Sequence, residues 1–446
     1  MNLRKATYFA LVRLRGQPLG TYYERFLRED QHGIPPDTSK KLLVQLLAHC
    51  KQSVPYYAEV MRDTGDSFYE DPEEYLRRFP ILTKDTIRSR FDALKSTDLA
   101  RRKWYLNTSG GSTGEPVEFI QDWEYAARSG AITLLYSKLA GKEIGECEAC
   151  LWGSGRDIIY GSEHWRARLV NKITNTIFLN AYRMTPDRMR EFIALLNAKR
   201  PKLILAYAES LYELARFSER EALEVTPQTA IMSTAGTLYP FIRETVERVF
   251  QCRMFNRYGS REVGDVACER PGGEGLGVAP WGNYVEIVDS EGNRVPDGTE
   301  GEILVTSLTN FAMPLVRYRI GDRGVLAPAA RGYRDRHGQV LETVLGRTSD
   351  IFKAGNGVLM DPGYFMSLLD FKDWIRKYQV IQRSYSCIVY RIVRLGSDYQ
   401  QAELDEIAAK TRLVMGDDCQ VAFEFVDEIP ASGSGKYRYT ISEVQV

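Results

Sequence analysis

The chain has 446 residues, 44% of them hydrophobic and 26% charged, with Lys plus Arg and Asp plus Glu balanced at 59 each. That length exceeds what one hydrophobic core usually supports, so two domains are expected, and the neutral balance argues against nucleic acid as a main partner, which needs a basic surface. No run approaches the ~18 apolar residues of a membrane span, and seven cysteines, an odd number, match unpaired thiols of a reducing compartment, here the cytoplasm.

In chain order, Leu3, Phe9, Leu11, Val12 and Leu14 recur near helical spacing among Arg4, Lys5, Arg13 and Arg15, with no acid before Glu24. This predicts a helix packed on its own protein, the alternative being a basic amphipathic contact with a membrane surface. A second helix is expected where Leu42, Leu43, Leu46 and Leu47 follow Thr38 and Ser39, either of which can cap its start. Asn107 to Phe119 then reads Asn-Thr-Ser-Gly-Gly-Ser-Thr-Gly-Glu-Pro-Val-Glu-Phe. Gly110, Gly111 and Gly114 let main-chain N–H groups approach an anion, and Thr108, Ser109, Ser112 and Thr113 add short donors. No Gly-Lys-Ser/Thr follows at the spacing of a P-loop, so the segment specifies a polyphosphate cradle and no more.

Cys147 and Cys150 have the spacing of a redox or zinc pair, and Cys252 and Cys268 would complete four thiolates; with no second close pair, buried thiols are the expectation. From Lys202 the texture becomes strand and helix in alternation: strands at 203–207, 229–233 and 254–258, helices at 210–221 and 240–250. Such alternation implies a layered α/β domain with a largely parallel sheet, whose ligands sit beyond the carboxyl ends of the strands. Trp152 and Tyr207 are candidates to line a pocket there, against the commoner role of aromatic residues in a core. From Tyr284 a β pattern, 285–288 and 302–305 around a turn-rich 289–301, predicts a small antiparallel barrel or sheet attached to the core. After Asp350 a glycine-rich link, 353–357, leads into a smaller α+β domain, giving an expected division of 1–349 and 350–446.

Five further segments follow the cradle in fixed order. They are Ser233-Thr234-Ala235-Gly236-Thr237, Arg257-Tyr258-Gly259-Ser260-Arg261-Glu262, Tyr318-Arg319-Ile320-Gly321-Asp322-Arg323-Gly324, Gly346-Arg347-Thr348-Ser349-Asp350 and Ser432-Gly433-Ser434-Gly435-Lys436-Tyr437-Arg438. With the cradle, and with Val54-Pro55-Tyr56-Tyr57 and Phe79-Pro80-Ile81-Leu82-Thr83-Lys84, these strings resemble the adenylate-forming superfamily of acyl-CoA synthetases, adenylation domains and luciferases. Within it they resemble the phenylacetate–CoA ligase-like group and its branch labelled capsular polysaccharide biosynthesis, and the likeness spans nearly the whole chain.

The resemblance implies a large N-terminal domain that binds ATP and a carboxylic acid, and a small mobile C-terminal domain. It implies nucleotide contacts by Thr108 to Gly114, by Thr234, Ala235 and Gly236, and by Gly259, with Tyr258 stacking on adenine and Asn256 bonding the purine amino group. Glu262 would hold Mg²⁺, a hard cation suited to a carboxylate and phosphate oxygens. Asp322 would accept from the ribose hydroxyls with Arg347 nearby, Asp350 would be the hinge, and Lys436 would bridge the substrate carboxylate and the α-phosphate. The implied reaction makes an acyl adenylate and passes the acyl group on. CoA is the expected acceptor, with an amine, a sugar or a carrier-protein thiol left open, and a nucleotide-binding scaffold without catalysis is the rival from another class. Two positions depart from many relatives: Glu115 stands where they carry Lys, which argues against a direct phosphate contact there, and Ala235-Gly236-Thr237 where they carry Glu; a small residue at 236 would either open the acyl pocket formed with Trp152 and Tyr207 or be neutral variation within the branch. The four histidines, His32, His49, His164 and His337, lie outside every motif, so no histidine base is implied. The sequence is silent on oligomeric state.

Overall fold

A computed structural model describes residues 3–14, 16–63, 65–109, 117–152, 175–181, 184–234, 236–328, 338–347, 352–355, 359–360, 362–369, 372, 374–396, 401–430 and 438–444. The chain divides into two units, 1–238 with 242–344, and 345–446 with 239–241.

In the first unit the helix Leu3–Leu14 lies on its own protein: Phe9 packs on Tyr23 with ring centroids 5.8 Å apart, and Lys5 pairs with Glu143 at 3.3 Å. Leu11 and Leu14 remain exposed. The next helix, Leu19–His32, buries Leu19, Tyr23 and Phe26, a stripe at i, i+4, i+7, and Phe26 stacks on Trp281 at 4.8 Å. Helix Thr38–Ser53 buries Leu43, Leu46, Leu47 and Cys50, with Leu42 partly covered. Its start differs from expectation. Asp37 precedes the first turn without a side-chain cap, and the Thr38 hydroxyl donates back to Pro35 O at 2.7 Å, so the preceding proline loop takes the hydroxyl that would otherwise serve the helix. In Val54-Pro55-Tyr56-Tyr57 the proline opens helix Pro55–Val60, where its missing N–H costs nothing. The buried Tyr57 hydroxyl donates to Pro314 O (3.0 Å) and accepts from Val316 N (3.1 Å), which removes the cost of burying it.

Strands β1 (Trp104–Thr108) and β2 (Glu118–Asp122) form an antiparallel pair around the cradle segment. The main sheet begins with β3 (Glu148–Trp152), β4 (Thr176–Asn180), β5 (Leu203–Tyr207), β6 (Ile231–Thr234) and β7 (Met254–Ser260), parallel in the order β4-β3-β5-β6-β7. Helices Ala208–Arg220 and Pro240–Phe250 connect β5 to β6 and β6 to β7, as the alternation implied. The β pattern beyond residue 284 differs from expectation, because it is no separate attachment. Strands β8 (Gly264–Glu269), β9 (Leu276–Val278), β10 (Asn283–Val288), β11 (Glu300–Ser307), β12 (Tyr318–Leu326) and β13 (Val340–Arg347) extend the same sheet in the order β7-β8-β9-β13-β12-β11-β10. The join is β7. Its first half pairs in parallel with β6 (Ser233 opposite Asn256), its second half antiparallel with β8 (Tyr258 opposite Ala267).

The strand order reverses at β3, with β4 on one side and β5 on the other, so a crevice is expected at the carboxyl ends of β3 and β5. One core packs helices Leu19–His32 and Trp123–Leu139 on the sheet through Phe26, Leu135, Tyr136, Met232, Phe255 and Trp281; another gathers Leu46, Tyr57, Phe79, Phe119, Ile303 and Tyr318.

In the second unit β14 (Phe352–Lys353) pairs antiparallel with β15 (Leu359–Met360); of the expected glycine-rich link, Asn356 and Gly357 lie outside the described residues. Gln382 exchanges two hydrogen bonds with the Lys353 backbone, at 3.0 and 2.7 Å, which ties β14 into the unit. Strands β16 (Ile375–Ser384), β17 (Cys387–Arg394), β18 (Gln420–Phe425) and β19 (Thr440–Ser442) form a sheet in the order β18-β17-β16-β19, accompanied by helix Gln401–Met415. This is the expected α+β composition. No helix among the described residues is long and apolar enough to cross a membrane.

Candidate active site

Hydrogen bonds join the two ends of the expected cradle segment. Ser109 N donates to Val117 O and Val117 N donates to Ser109 Oγ, both at 2.9 Å, with Ser109 buried. One residue further out, Thr108 N donates to Asn107 Oδ1 (2.8 Å). Gly110, Gly111, Ser112, Thr113, Gly114 and Glu115 lie outside the described residues.

Gln121 on β2 joins this base to the Glu262 turn. Its Oε1 accepts from Asn107 Nδ2 (3.0 Å), and its Nε2 donates to the carbonyls of Arg261 (2.9 Å) and Glu262 (3.2 Å). Glu262 itself is buried, and its Oε1 accepts from the Tyr318 hydroxyl at 3.2 Å. On the same strand as Tyr318, Asp322 accepts from the Tyr258 hydroxyl through Oδ2 at 2.8 Å. The expected adenine-stacking tyrosine and ribose-binding acid are therefore brought together, and Asn256 sits on β7 opposite Ser233, whose hydroxyl reaches Asn256 Oδ1 at 3.5 Å. Phe79 to Lys84 supports the same strand: Leu82 bonds the backbone on both sides of Tyr318.

Ser260 Oγ is buried without a hydrogen-bond partner among the described residues. An orphan hydroxyl two positions from a buried carboxylate is a polar lining that an incoming cation–phosphate group would satisfy, so these residues fit a magnesium–nucleotide complex. Gly259 is required for this turn. A β-carbon there would overlap the Gly264 carbonyl oxygen and lie 2.9 Å from Asp265 Cα, both backbone atoms that cannot swing aside. Gly259→Ala is expected to lose roughly 1–3 kcal/mol of stability through overpacking, read as an earlier midpoint in urea; an unchanged midpoint would contradict this packing.

Trp152 and Tyr207 end adjacent strands on the side of the sheet's carboxyl ends and pack with ring centroids 4.6 Å apart. Thr234, buried, is in register with Tyr207. Gly236 does not stand beside open space. The room its missing side chain leaves is taken by the Glu209 carboxylate, since a β-carbon on Gly236 would lie 2.6 Å from Glu209 Cδ. Ala235, Thr348, Ser349, Asp350 and Lys436 lie outside the described residues, and of Arg347 only the backbone is described. The segment bearing Lys436 is flanked by anchored ends: Lys377 Nζ donates to Ile429 O (2.9 Å) and Gln379 Nε2 to Arg438 O (2.8 Å).

Sequence reasoning missed Gln121, Tyr318 as the partner of Glu262, and Glu209. Tyr318 at least opens a motif; Gln121 carries no local signal. Cys147, Cys150, Cys252 and Cys268 are free thiols, and among the described residues no group of three or more His, Cys, Asp or Glu side chains gathers as a metal site. Burial pushes the thiol pKa of Cys150 up to about 11 and of Cys252 to about 12, so both stay protonated near neutrality. His49 bonds Phe311 O (2.9 Å) and Ser96 Oγ (3.2 Å) away from these residues, and burial lowers its pKa.

The model of the CapK C-terminal domain matches residues 355–443. Protein CapK of Staphylococcus aureus is 23% identical over 432 residues, covering 95% of this chain and 93% of the relative. A phenylacetate-coenzyme A ligase of Thermus thermophilus is 26% identical over 365 residues, covering 76% of each chain. Among solved structures, a 2-hydroxyisobutyryl-CoA ligase in its postadenylation state superimposes with a TM-score of 0.68 at 16% identity, over 91% of this chain and 89% of that one, a likeness of fold. Residues 355–443 thus match the CapK C-terminal domain, and the chain is similar over most of its length to CapK and to phenylacetate-coenzyme A ligases, in line with the resemblance that its motifs carry.

Proposed function

We propose that the protein is an ATP-dependent, AMP-forming ligase that activates a carboxylic acid as its acyl adenylate and then transfers the acyl group, with CoA as the acceptor. The observation that carries this reading is the hydrogen-bonded continuity from the cradle base through Gln121 to Glu262 and Tyr318, with the Tyr258–Asp322 hydrogen bond joining β7 to β12. A phosphate site, a buried acid and a nucleoside-binding pair then lie on one frame.

A carboxylate and ATP repel each other, so the first step needs positioning and charge neutralisation and no covalent enzyme nucleophile. A carboxylate oxygen bonds the α-phosphorus as pyrophosphate leaves; the acceptor then bonds the acyl carbon and AMP leaves. In this reading the cradle amides and hydroxyls hold the phosphates, Tyr258 and Asn256 hold the adenine, and Asp322 exchanges its Tyr258 partner for the ribose hydroxyls. Glu262, two positions after Ser260, would hold Mg²⁺, which supplies positive charge to the phosphate oxygens. Lys436 neutralises the two approaching anions, and Asp350 is the pivot of the second unit between half-reactions. CoA as acceptor is supported by the names of the phenylacetate-coenzyme A ligases to which the chain is similar. A second reading, in which an amine or sugar hydroxyl takes the acyl group, rests on the resemblance of the sequence motifs to the capsular polysaccharide branch.

Pyrophosphate–ATP exchange over a panel of aryl, fatty and amino-substituted acids tests the first half-reaction. Acid-dependent exchange is expected; nucleotide binding without exchange across the panel would favour a scaffold. Mass analysis after adding CoA, amines or sugars separates the two acceptor readings.

A further inference from the structure

The helix Leu3–Leu14 has two apolar faces, and its own protein covers one of them. On the covered face Phe9 packs on Tyr23 and against Gly20, where a β-carbon would lie 3.1 Å from the Phe9 ring, and Tyr8 joins the same core. On the other, Ala6, Thr7, Ala10, Leu11 and Leu14 are exposed, and their spacings of three and four place them in one stripe along the helix. Leu11 is 50% exposed and Leu14 83%. At 3.6 residues per turn the exposed Arg4 and Arg13 fall on opposite borders of this stripe. The helix contains no acid, and none occurs in the sequence before Glu24. Lys5, toward the covered face, pairs with Glu143 at 3.3 Å, whereas Arg4 donates to Gly145 O at 3.4 Å, a neutral partner that leaves its charge uncancelled.

We propose that this face docks on an anionic lipid surface, with the helix lying in the headgroup plane, Leu11 and Leu14 submerged, and Arg4 and Arg13 reaching lipid phosphates. At 12 residues the helix is too short to span a bilayer. A lone exposed leucine is ordinary; a stripe bordered on both sides by one sign of charge is the pattern of an interfacial helix, whose long cationic side chains extend to the headgroups while the apolar stripe enters the acyl boundary. The charge also argues against a second copy of the chain as the occupant, because a two-fold contact sets the same face against itself and brings these arginines together. Since the formal net charge of the whole chain is +0, attraction to anionic lipid must come from a local basic face such as this one. The proposal does not depend on the ligase reading.

The test is flotation of the full chain with vesicles of phosphatidylcholine alone or with ~30% phosphatidylglycerol. Partition onto the anionic vesicles should exceed that onto neutral ones by ~10-fold or more, and should fall steeply between ~0.1 M and ~0.5 M salt. Arg13→Gln should weaken anionic binding ~5-fold, the factor for one basic residue near such a surface. Leu11→Gln with Leu14→Gln should weaken it ~10-fold or more, the effect of leaving two apolar side chains in water. These side chains are exposed, so the urea midpoint should not move. Equal partition onto both vesicle types, already decisive with the unsubstituted chain, overturns the proposal. So does anionic binding that both sets of substitutions leave intact, which would place the contact elsewhere. Sedimentation that shows a dimer in the parent and a monomer in the leucine variant assigns the stripe to a second copy and overturns it as well.

Discussion

Lys436→Ala is expected to lower acid-dependent pyrophosphate exchange by ~10²- to 10³-fold, the loss typical of removing one positioned stabiliser of developing charge, while ATP still binds. Two anions about 4 Å apart repel by about 4 kcal/mol at an effective dielectric of 20, and a single ammonium between them converts that repulsion into two attractions. In the proposed function nucleotide affinity is assigned to other groups, namely the cradle, Tyr258 and Asp322, so it should change little. Arginine is not an adequate substitute, because its planar fork cannot fill the place of a compact cation. Lys436→Arg should therefore remain impaired. Exchange within about threefold of the parent for Lys436→Ala would contradict the role given to this residue; calorimetric titration with ATP checks that the site is intact.

Arg317→Ala is expected to cost about 3–5 kcal/mol of stability, the range for removing one partner of a buried ion pair. Arg317 and Glu286 side chains are 4% and 3% exposed and meet at 3.2 Å. The guanidinium also donates to Phe79 O (2.8 Å) and Gly292 O (2.9 Å), so one side chain ties the Phe79–Lys84 segment to the sheet beside Tyr318. Burial raises the Glu286 pKa and the Arg317 charge opposes that rise. Without the arginine the folded-state pKa climbs further above its unfolded value. A group raised in this way destabilises the fold as pH rises through the folded-state pKa, so the deficit should be largest near and above neutrality and shrink toward pH ~4.5. Replacing both partners with apolar residues of similar volume should recover much of the loss. Urea denaturation across pH reads both effects, and a deficit under about 1 kcal/mol, or one that grows on acidification, would contradict this account.

How much of this the sequence displays depends on range. Strands β5 and β7 and helix Pro240–Phe250 are legible because their periodicity is local and their burial follows it. The motifs single out Tyr258, Glu262 and Asp322, and the structure joins Tyr258 to Asp322 and Glu262 to Tyr318, while their nucleotide roles belong to the proposal. The continuity of the β region with the parallel sheet is not legible, since it depends on β7 changing partners midway, and pairing partners leave no trace in a single strand. Gln121 is hidden for the same reason: the carbonyls it holds lie 140 and 141 residues away. Thr38 was misplaced because a hydroxyl before an apolar run serves a cap or a turn equally well. Glu209 looks in sequence like any acid at a helix start, and nothing local shows that its carboxylate fills the space over Gly236.

The most direct test is to supply an accepted acid with both carboxylate oxygens labelled as ¹⁸O, let the acceptor or hydroxylamine discharge the intermediate, and weigh the nucleotide product. Attack by the carboxylate on the α-phosphorus predicts AMP carrying one ¹⁸O atom and unlabelled pyrophosphate. Unlabelled AMP, or ADP with label in inorganic phosphate, would contradict the acyl-adenylate reaction.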